Sequence, residues 1–286
     1  ISPEYLKTLL ILMPDEKHIA KIVELVRSTQ KEIENSKILY SQAENLLLNE
    51  LGLKDFKIED DLSYIINLSE IKTAHRADAE YFQPKYKRIM SNVKCRMSKL
   101  ANLVSMKKGI EPGAEAYQDK GNLFIRVSSI SKQGIIDKDQ KYLSDDLHQK
   151  LKNDFKPKVE EILLTKDATP GIAYVLKEPI IGIVASGVLR LQIKTDIDSE
   201  YLALCLNSIV GQRQAERDAV GSIIAHWKLD QIKNVLIPIL PKLTQQKIAR
   251  LVRQSHKARQ KAKELLETAK QKVECLISEI TQKSQV

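Results

Sequence analysis

Apolar positions return every seventh residue near both ends of the chain. Toward the N-terminus the series is Ile19, Val26, Ile33, Tyr40 and Leu47, with Ile22, Val23, Ala43 and Leu51 filling much of a second seam position. Toward the C-terminus Ile248, Val252, Ala262, Leu266, Ala269, Val273, Leu276 and Ile280 fall on one stripe. Sustained heptads predict helix packed on helix along a narrow seam. The expected helices run from about Asp15 to Leu51 and from about Thr244 to Ile280, and each would be roughly 55 Å long. Asp15, after Pro14, is placed to cap the first, and Gly52 stands where a left-handed cap is wanted.

The two ends also repeat each other. "LKTLLILMP" aligns with "IKNVLIPILP", "HIAKIV" with "KIARLV", and "NLLLNEL" (45–51) with "ECLISEI" (274–280). The repeated unit is an apolar strand, a proline-bearing turn and a long helix. Its two copies differ in charge: residues 15–52 hold five Lys/Arg against seven Asp/Glu, and 242–286 hold eleven against four. A slightly acidic helix and a strongly basic one are suited to lie together.

The middle follows another pattern. Nine of the ten glycines lie between Gly109 and Gly221. Strand-like runs occur at 123–130, 161–166, 171–177, 180–186 and 188–194, interrupted by helical stretches at 145–153 and 199–218. The fold class is therefore α+β, with one mixed α/β domain and two long helices. The expected divisions are a strand end over 1–14, a helix over 15–52, a polar connector over 53–98 with an amphipathic segment at 79–90, the mixed domain over 99–241, and a helix over 242–286.

Composition narrows the partners. A formal net charge of +9 and a pI near 9.2 make an acidic partner plausible, nucleic acid first. Cys95, Cys205 and Cys275 are too far apart for a disulfide framework or a zinc-ligand spacing. They point to a reducing compartment, and the cytoplasm is the expected location. The longest apolar run, 179–189, is too short to span a bilayer, so no membrane is expected. No signal peptide is visible, and the chain does not open on Met, which leaves the true N-terminus open.

Catalytic signatures are missing. There is no phosphate-binding loop of the Walker type, no glycine-rich dinucleotide fingerprint and no Asn/Asp-Pro-Pro-aromatic tetrapeptide of the amino-methyltransferases. "GIVASG" (182–187) lacks the spacing of a nucleophile elbow. "KVEEILLTKD" lacks that of a nuclease metal site, and His226 near Ser222 would also need an orienting third group. No catalytic residue, metal or cofactor is assigned. Basic and hydroxyl residues instead gather on turns of the mixed domain: Lys107, Lys108, Arg126, Ser128, Ser129, Lys132, Lys166, Thr169, Ser186, Arg190, His226 and Lys228. Lysines can anchor phosphates, while Arg, Ser and Thr also reach base edges. Lys107, Lys108, Lys166 and Lys228 are expected on phosphate; Arg126, Ser128, Thr169, Ser186 and Arg190 are expected to read or orient bases.

Four stretches then carry a family resemblance: the Pro-then-Ile-Ala helix starts (Pro14 with Ile19-Ala20, Pro241 with Ile248-Ala249), "RADAEYFQPKY" (76–86), "ILLTKDATPGIAYV" (162–175) and "GSIIAHWKLDQIKNVLIPILP" (221–241). Together with the long helices they cover nearly the whole chain, which resembles the specificity subunit of type I restriction-modification enzymes. The resemblance implies a non-catalytic reader of double-stranded DNA. Such subunits hold two target recognition domains apart on long helices paired as an antiparallel coiled coil, which acts as a ruler and as a dock for methyltransferase subunits. Those partners bind S-adenosylmethionine and methylate adenine; a restriction subunit cleaves. The helix-pairing residues implied here are Ile19, Val26, Ile33, Tyr40, Leu47, Ile248, Val252, Leu266, Val273, Leu276 and Ile280.

The chain departs from that pattern in carrying one recognition domain, with Ile1 where the last strand of a preceding one should end. It is expected to be the C-terminal half of a full subunit, or a natural half-subunit that forms a homodimer. Two other readings stand beside this one: the recognition portion of a fused restriction-methylation enzyme, and a coiled-coil scaffold for protein partners.

Overall fold

A computed structural model describes residues 14–57, 60–221 and 224–283, without the side chains of 280–283. The strand expected over 1–14 lies almost wholly outside the described residues, as do Ser222 and the side chain of Ile280. The chain divides into two compact units, one of residues 1–40 and 253–286, the other of residues 41–252. The ends of both long helices thus belong with the mixed domain, which the sequence boundaries at 52 and 242 had kept separate.

The long helices are α1 (Glu16–Glu50) and α9 (Lys242–Lys283). The Asp15 carboxylate accepts from the backbone N–H of His18 at 2.9 Å, the expected cap. At the other end Gly52 adopts φ +74°, and the N–H of Leu53 bonds the Leu48 carbonyl at 2.8 Å, closing α1 as expected. Pro241 supplies the first carbonyl of α9, accepting from the N–H of Gln245 at 3.0 Å.

In the helical unit the two helices run antiparallel. The hydroxyls of Ser36 and Ser255 meet at 3.0 Å, and Ser255 Oγ also donates to the Ser36 carbonyl at 2.7 Å. Further from the α1 C-terminus and further along α9, Lys261 pairs with Glu32 at 2.5 Å, holding that carboxyl below its ordinary range. The seam is built from small residues. Thr29, Ser36, Ala258, Ala262 and Ala269 are buried. Ile19, Val26, Leu266 and Val273, expected in the seam, are 43%, 37%, 39% and 38% exposed and flank it instead. Close backbone approach explains the difference: small side chains sit between the helices and displace the larger apolar ones to the edge. Of the other expected seam residues, Ile33 is half-buried; Tyr40 and Leu276 are buried, as are Leu47, Ile248 and Val252 in the other unit.

That other unit begins with the connector, where α2 (Leu68–Ala74) is followed by a 3-10 turn over Ala79–Phe82 and by α3 (Pro84–Asn92). Pro84 opens α3, where its missing N–H costs nothing. Strand β1 (Met97–Lys99) and short helix α4 (Leu100–Leu103) lead into β2 (Val104–Lys108). Then come β3 (Asn122–Ile125), β4 (Ile130–Ser131), β5 (Gly134–Ile135), β6 (Lys141–Leu143) and α5 (Asp145–Phe155). They are followed by β7 (Ile162–Thr165), β8 (Ala173–Val175), β9 (Gly182–Val184) and β10 (Val188–Ile193). Helices α6 (Ser199–Asn207), α7 (Ile209–Asp218) and α8 (Leu229–Lys233) and strand β11 (Leu236–Pro238) complete it.

The expected strand at 123–130 is broken at Arg126 by a 3-10 turn over Val127–Ser129. The expected helix at 199–218 is interrupted at Ser208, whose hydroxyl bonds the Cys205 carbonyl at 2.7 Å. Strand β11 ends at Pro238, two residues short of Pro241, so the strand, turn and helix of the repeated unit are present in its C-terminal copy.

A four-stranded antiparallel sheet has the order β2-β10-β7-β8, and a three-stranded one, β6-β3-β9, includes a parallel β3–β9 pair. Strands β3 and β9 are apolar on both faces because both are covered. Ile125 and Val184 pack with Leu163 and Val188, while Phe124 and Ile183 pack with Leu143 and Ala185. Each such buried Ile, Leu or Phe contributes about 1.5–3 kcal/mol. This core fixes the strand ends from which the connecting loops leave. Among the described residues no helix is long and apolar enough to cross a membrane.

Candidate nucleic-acid interface

Four loops and one strand end meet at one rim of the mixed domain. The turn between β9 and β10 is its centre. Ser186 N–H bonds the Ile110 carbonyl at 2.9 Å, just past the end of β2, and Lys166 N–H bonds the Gly187 carbonyl at 2.9 Å, just past β7. A Cβ on Gly109 would lie 2.2 Å from the Ala185 carbonyl oxygen, so only glycine lets these segments approach. At Gly187 a Cβ would stand 2.8 Å from Val127 Cγ2 and 3.3 Å from Asp167 Oδ2, which brings the Arg126–Ser129 turn and the β7–β8 loop to the same place.

A strap formed by residues 219–221 and 224–228 closes the rim. Val220 and His226 exchange backbone hydrogen bonds at 3.1 and 2.8 Å, Ala168 N–H bonds the Ala225 carbonyl at 2.8 Å, and Trp227 N–H bonds the Lys166 carbonyl at 2.8 Å. Trp227 is buried, 1% exposed, and anchors the strap, while the preceding His226 is exposed. Extended backbone makes neighbouring side chains face opposite ways, so burying Trp227 presents His226 to solvent.

The expected DNA-binding residues separate into three groups on this geometry. Lys107, Lys108, Ser128, Thr169, His226 and Lys228 are exposed, and Ser186 is half-buried on the central turn. They form the accessible set. Arg126 and Lys166 belong to the rim but are held: Arg126 donates to the Asp139 carbonyl at 2.9 Å and lies 5.9 Å from the Tyr117 ring centroid. Lys166 is paired with Asp167 at 2.6 Å.

The remaining three are structural, and for them the expectation is corrected. Ser129 is buried, 2% exposed, and its hydroxyl accepts from the Arg126 N–H at 3.2 Å. Lys132 donates to the Asn207 carbonyl at 3.0 Å, tying the β4–β5 hairpin to the end of α6. Arg190 is only 3% exposed, and its guanidinium donates to the carbonyls of Asp154 and Lys156 at the end of α5. A strand position covered by α5 cannot meet a base edge.

Two residues that sequence reasoning passed over organise the site. Asp167 accepts from both Lys166 Nζ and, at 2.9 Å, His226 Nδ1. Only the convergence of two loops reveals it. Arg76, within the resemblance-bearing stretch 76–86, grips Asp78 through two bonds of 2.8 and 2.5 Å. It also donates to the carbonyls of Arg217 and Asp218, at 3.4 and 3.2 Å, where α7 ends and the strap begins, and it stacks 4.3 Å from the Tyr81 ring centroid. Gln231 Nε2 adds a bond to the Asp218 carbonyl at 2.9 Å.

Arg76→Ala is expected to cost about 1.5–3 kcal/mol, the value of charge-assisted hydrogen bonds, read as a lower denaturant midpoint. The Arg76 guanidinium bond keeps the Asp78 carboxyl below its ordinary range. That part of the stability is present above the unfolded carboxylate value and is lost as pH falls through the depressed folded one. The gap between wild type and Arg76→Ala should therefore narrow on acidification below the ordinary carboxylate range; a gap that widens there would exclude the clamp.

A family model, the type I restriction modification DNA specificity domain, matches residues 90–271. That is well over half of the chain, and it contains every rim residue. The chain belongs to this family. The family is one of DNA-recognition components of type I systems, which do not themselves catalyse.

Solved structures with similarity include the S subunit of a type I restriction-modification system from M. genitalium, at 16% identity and a TM-score of 0.41, covering 55% of this chain and 38% of that one. The HsdS subunit from Thermoanaerobacter tengcongensis matches at 12% identity and a TM-score of 0.42, covering 91% and 57%. A chain from work on complex assembly and conformational transition of the type I R-M system matches at 13% identity and 0.43, covering 93% and 58%. The chain spans less than two thirds of the length of each. No curated protein matches.

Proposed function

We propose that this chain reads one half of a bipartite DNA target through the rim of its mixed domain and positions methyltransferase subunits, and through them a restriction subunit, on that DNA. The observation that carries the reading is the meeting of the loops that bear Thr169, Ser186, His226 and Lys228, beside the strand end that bears Lys107 and Lys108, in a specificity-domain chain of net charge +9. Lysines there supply sequence-independent attraction to phosphate, and the hydroxyls and histidine reach base edges. Lys108 and Lys107 end the edge strand β2, where long cations can follow a backbone without distorting a sheet.

In this reading the helical unit is the dock. Ile19, Val23 and Val26 on α1 and Leu266, Val273 and Ile277 on α9 are exposed large apolar residues, suited to cover by the methyltransferase partner. S-adenosylmethionine belongs to that partner, and the cytoplasm is where the assembly would work. A second copy of the chain, or a second recognition domain, would supply the other half-site. The spacer would set the separation: one heptad removed from both helices shortens it by about 10 Å, close to three base pairs at ~3.4 Å each. Methylated sites whose half-site spacing is unchanged by that deletion would exclude the ruler.

The test of DNA reading is binding to duplex DNA as a function of salt. Wild type should show a steep loss of affinity with salt, and Lys107→Ala with Lys108→Ala should lower the slope by about 2 while weakening all sequences alike. Salt-independent binding, or none, would sink the reading.

A further inference from the structure

We propose that His226 Nε2 is a fixed hydrogen-bond acceptor that reads an exocyclic amino group, adenine N6 or cytosine N4, on a base edge in the major groove. The inference rests on the DNA-reading role above and assigns the chemistry of one of its contacts.

The ring is oriented from both sides. Its Nδ1 lies 2.9 Å from Asp167 Oδ1. The backbone of His226 is locked by its paired bonds with Val220, and the neighbouring Ala225 carbonyl by Ala168 N–H. Asp167 in turn is held by Lys166 Nζ at 2.6 Å and has Gly187 packed against it. An ionised carboxylate is only an acceptor, so Nδ1 must carry the proton. In the neutral ring the lone pair is then on Nε2, the tautomer being set by the bond the other nitrogen makes.

Nε2 has no hydrogen-bond partner among the described residues, and the side chain is 60% exposed. The rest of the accessible rim differs in kind. Lys107, Lys108 and Lys228 can only donate; the hydroxyls of Ser128, Thr169 and Ser186 can do either. The oxygens of Asp167 are already engaged by Lys166 and His226. Among the candidate DNA-contacting side chains, neutral His226 is thus the one that offers an acceptor without a competing donor. In the major groove the groups that donate are the N6 amino of adenine and the N4 amino of cytosine. Guanine and thymine present only acceptors at the matching positions, and a lone pair facing them would repel.

Asp167 is a positioning residue in this scheme. It acts through His226 by fixing which nitrogen carries the proton, and an amide in its place loses that control because it can donate as well as accept.

The experiment selects duplexes from a randomised pool with the full chain at mildly alkaline pH and sequences those bound. Wild type should restrict one position to adenine or cytosine; His226→Phe should relax that position alone, and Asp167→Asn should relax the same one. A second arm leaves the protein intact and deletes the amino group from the base. Wild type should then lose about three- to tenfold in affinity, the value of one neutral hydrogen bond, and His226→Phe should lose nothing further. The assignment is overturned if His226→Phe leaves every position as restricted as in wild type, if the relaxed position prefers guanine or thymine, or if the amino-deleted duplex binds wild type undiminished. A wild-type chain that selects no sequence would instead remove the DNA-reading role itself.

Discussion

Replacing Arg190 by alanine is expected to destabilise the fold by about 3–5 kcal/mol and to leave the base preference of the folded protein as it is. Arg190 sits on β10, the second strand of the four-stranded sheet, paired with Lys107 on one side and Leu163 on the other. Its guanidinium donates to the Asp154 and Lys156 carbonyls and stands 4.0 Å from the buried Glu161 carboxylate. The last carbonyls of α5 carry the negative end of its dipole and have no partners within the helix, so a cation there satisfies both charge and hydrogen bonding. Alanine would leave Glu161, 5% exposed, with one bond, to the Lys158 N–H at 2.9 Å, and the carbonyls of α5 bare. Removing both charges, Arg190→Met with Glu161→Leu, should cost less than Arg190→Ala alone, because no uncompensated charge then remains buried. Urea midpoints for the two variants and selection from a randomised duplex pool separate the possibilities. Wild-type stability with an altered base preference would return Arg190 to the reading surface.

Arg190 illustrates what sequence could and could not locate. Local chemistry was legible: Asp15 and Gly52 close α1 as their types require, Pro84 opens α3, and the strands at 162–165, 182–184 and 188–193 fall inside apolar runs. These features depend on a residue and its near neighbours. The direction of a strand side chain does not. An arginine within "VLRLQIK" reads the same whether it faces solvent or the end of a helix 34 residues earlier. Asp167 was invisible for a like reason: it matters only because β7–β8 and the strap meet, through bonds spanning 59 residues. Ser129 and Lys132 fell among candidate readers because hydroxyls and ammonium groups look identical in sequence whether they cap a turn or meet DNA. The stretches that carry the family resemblance, 162–175 and 221–241, contain the β7–β8 loop and most of the strap. Which side chains of those stretches face outward needed the packing of Trp227 and the approach at Gly187.

Ser255→Leu should disrupt the helical unit, at about 2–4 kcal/mol, and the reason is the seam that the heptads concealed. A periodic count weighs large apolar residues, so it placed Ile19, Val26, Leu266 and Val273 between the helices. The interior holds Ser36 against Ser255 with hydroxyls 3.0 Å apart and with Ser255 Oγ on the Ser36 carbonyl. Ser255 is 1% exposed and Ser36 is 2% exposed, so neither has room to grow. Overpacking a close helix contact costs about 1–3 kcal/mol, and the buried hydrogen bonds lost with the hydroxyl add about 1. Ser255→Ala removes the bonds and keeps the fit, so it should cost only about 1 kcal/mol. The same leucine at Leu266, which is 39% exposed beside the seam, is already tolerated. The ratio between the two Ser255 variants therefore reports how closely the backbones approach. Helicity followed by circular dichroism on heating would read it, and equal midpoints for Ser255→Leu and Ser255→Ala would mean that the helices are free to part. The smallness of the seam also bears on the proposed dock: residues too large to enter it are pressed to the flanks, which leaves large apolar side chains exposed on α1 and α9.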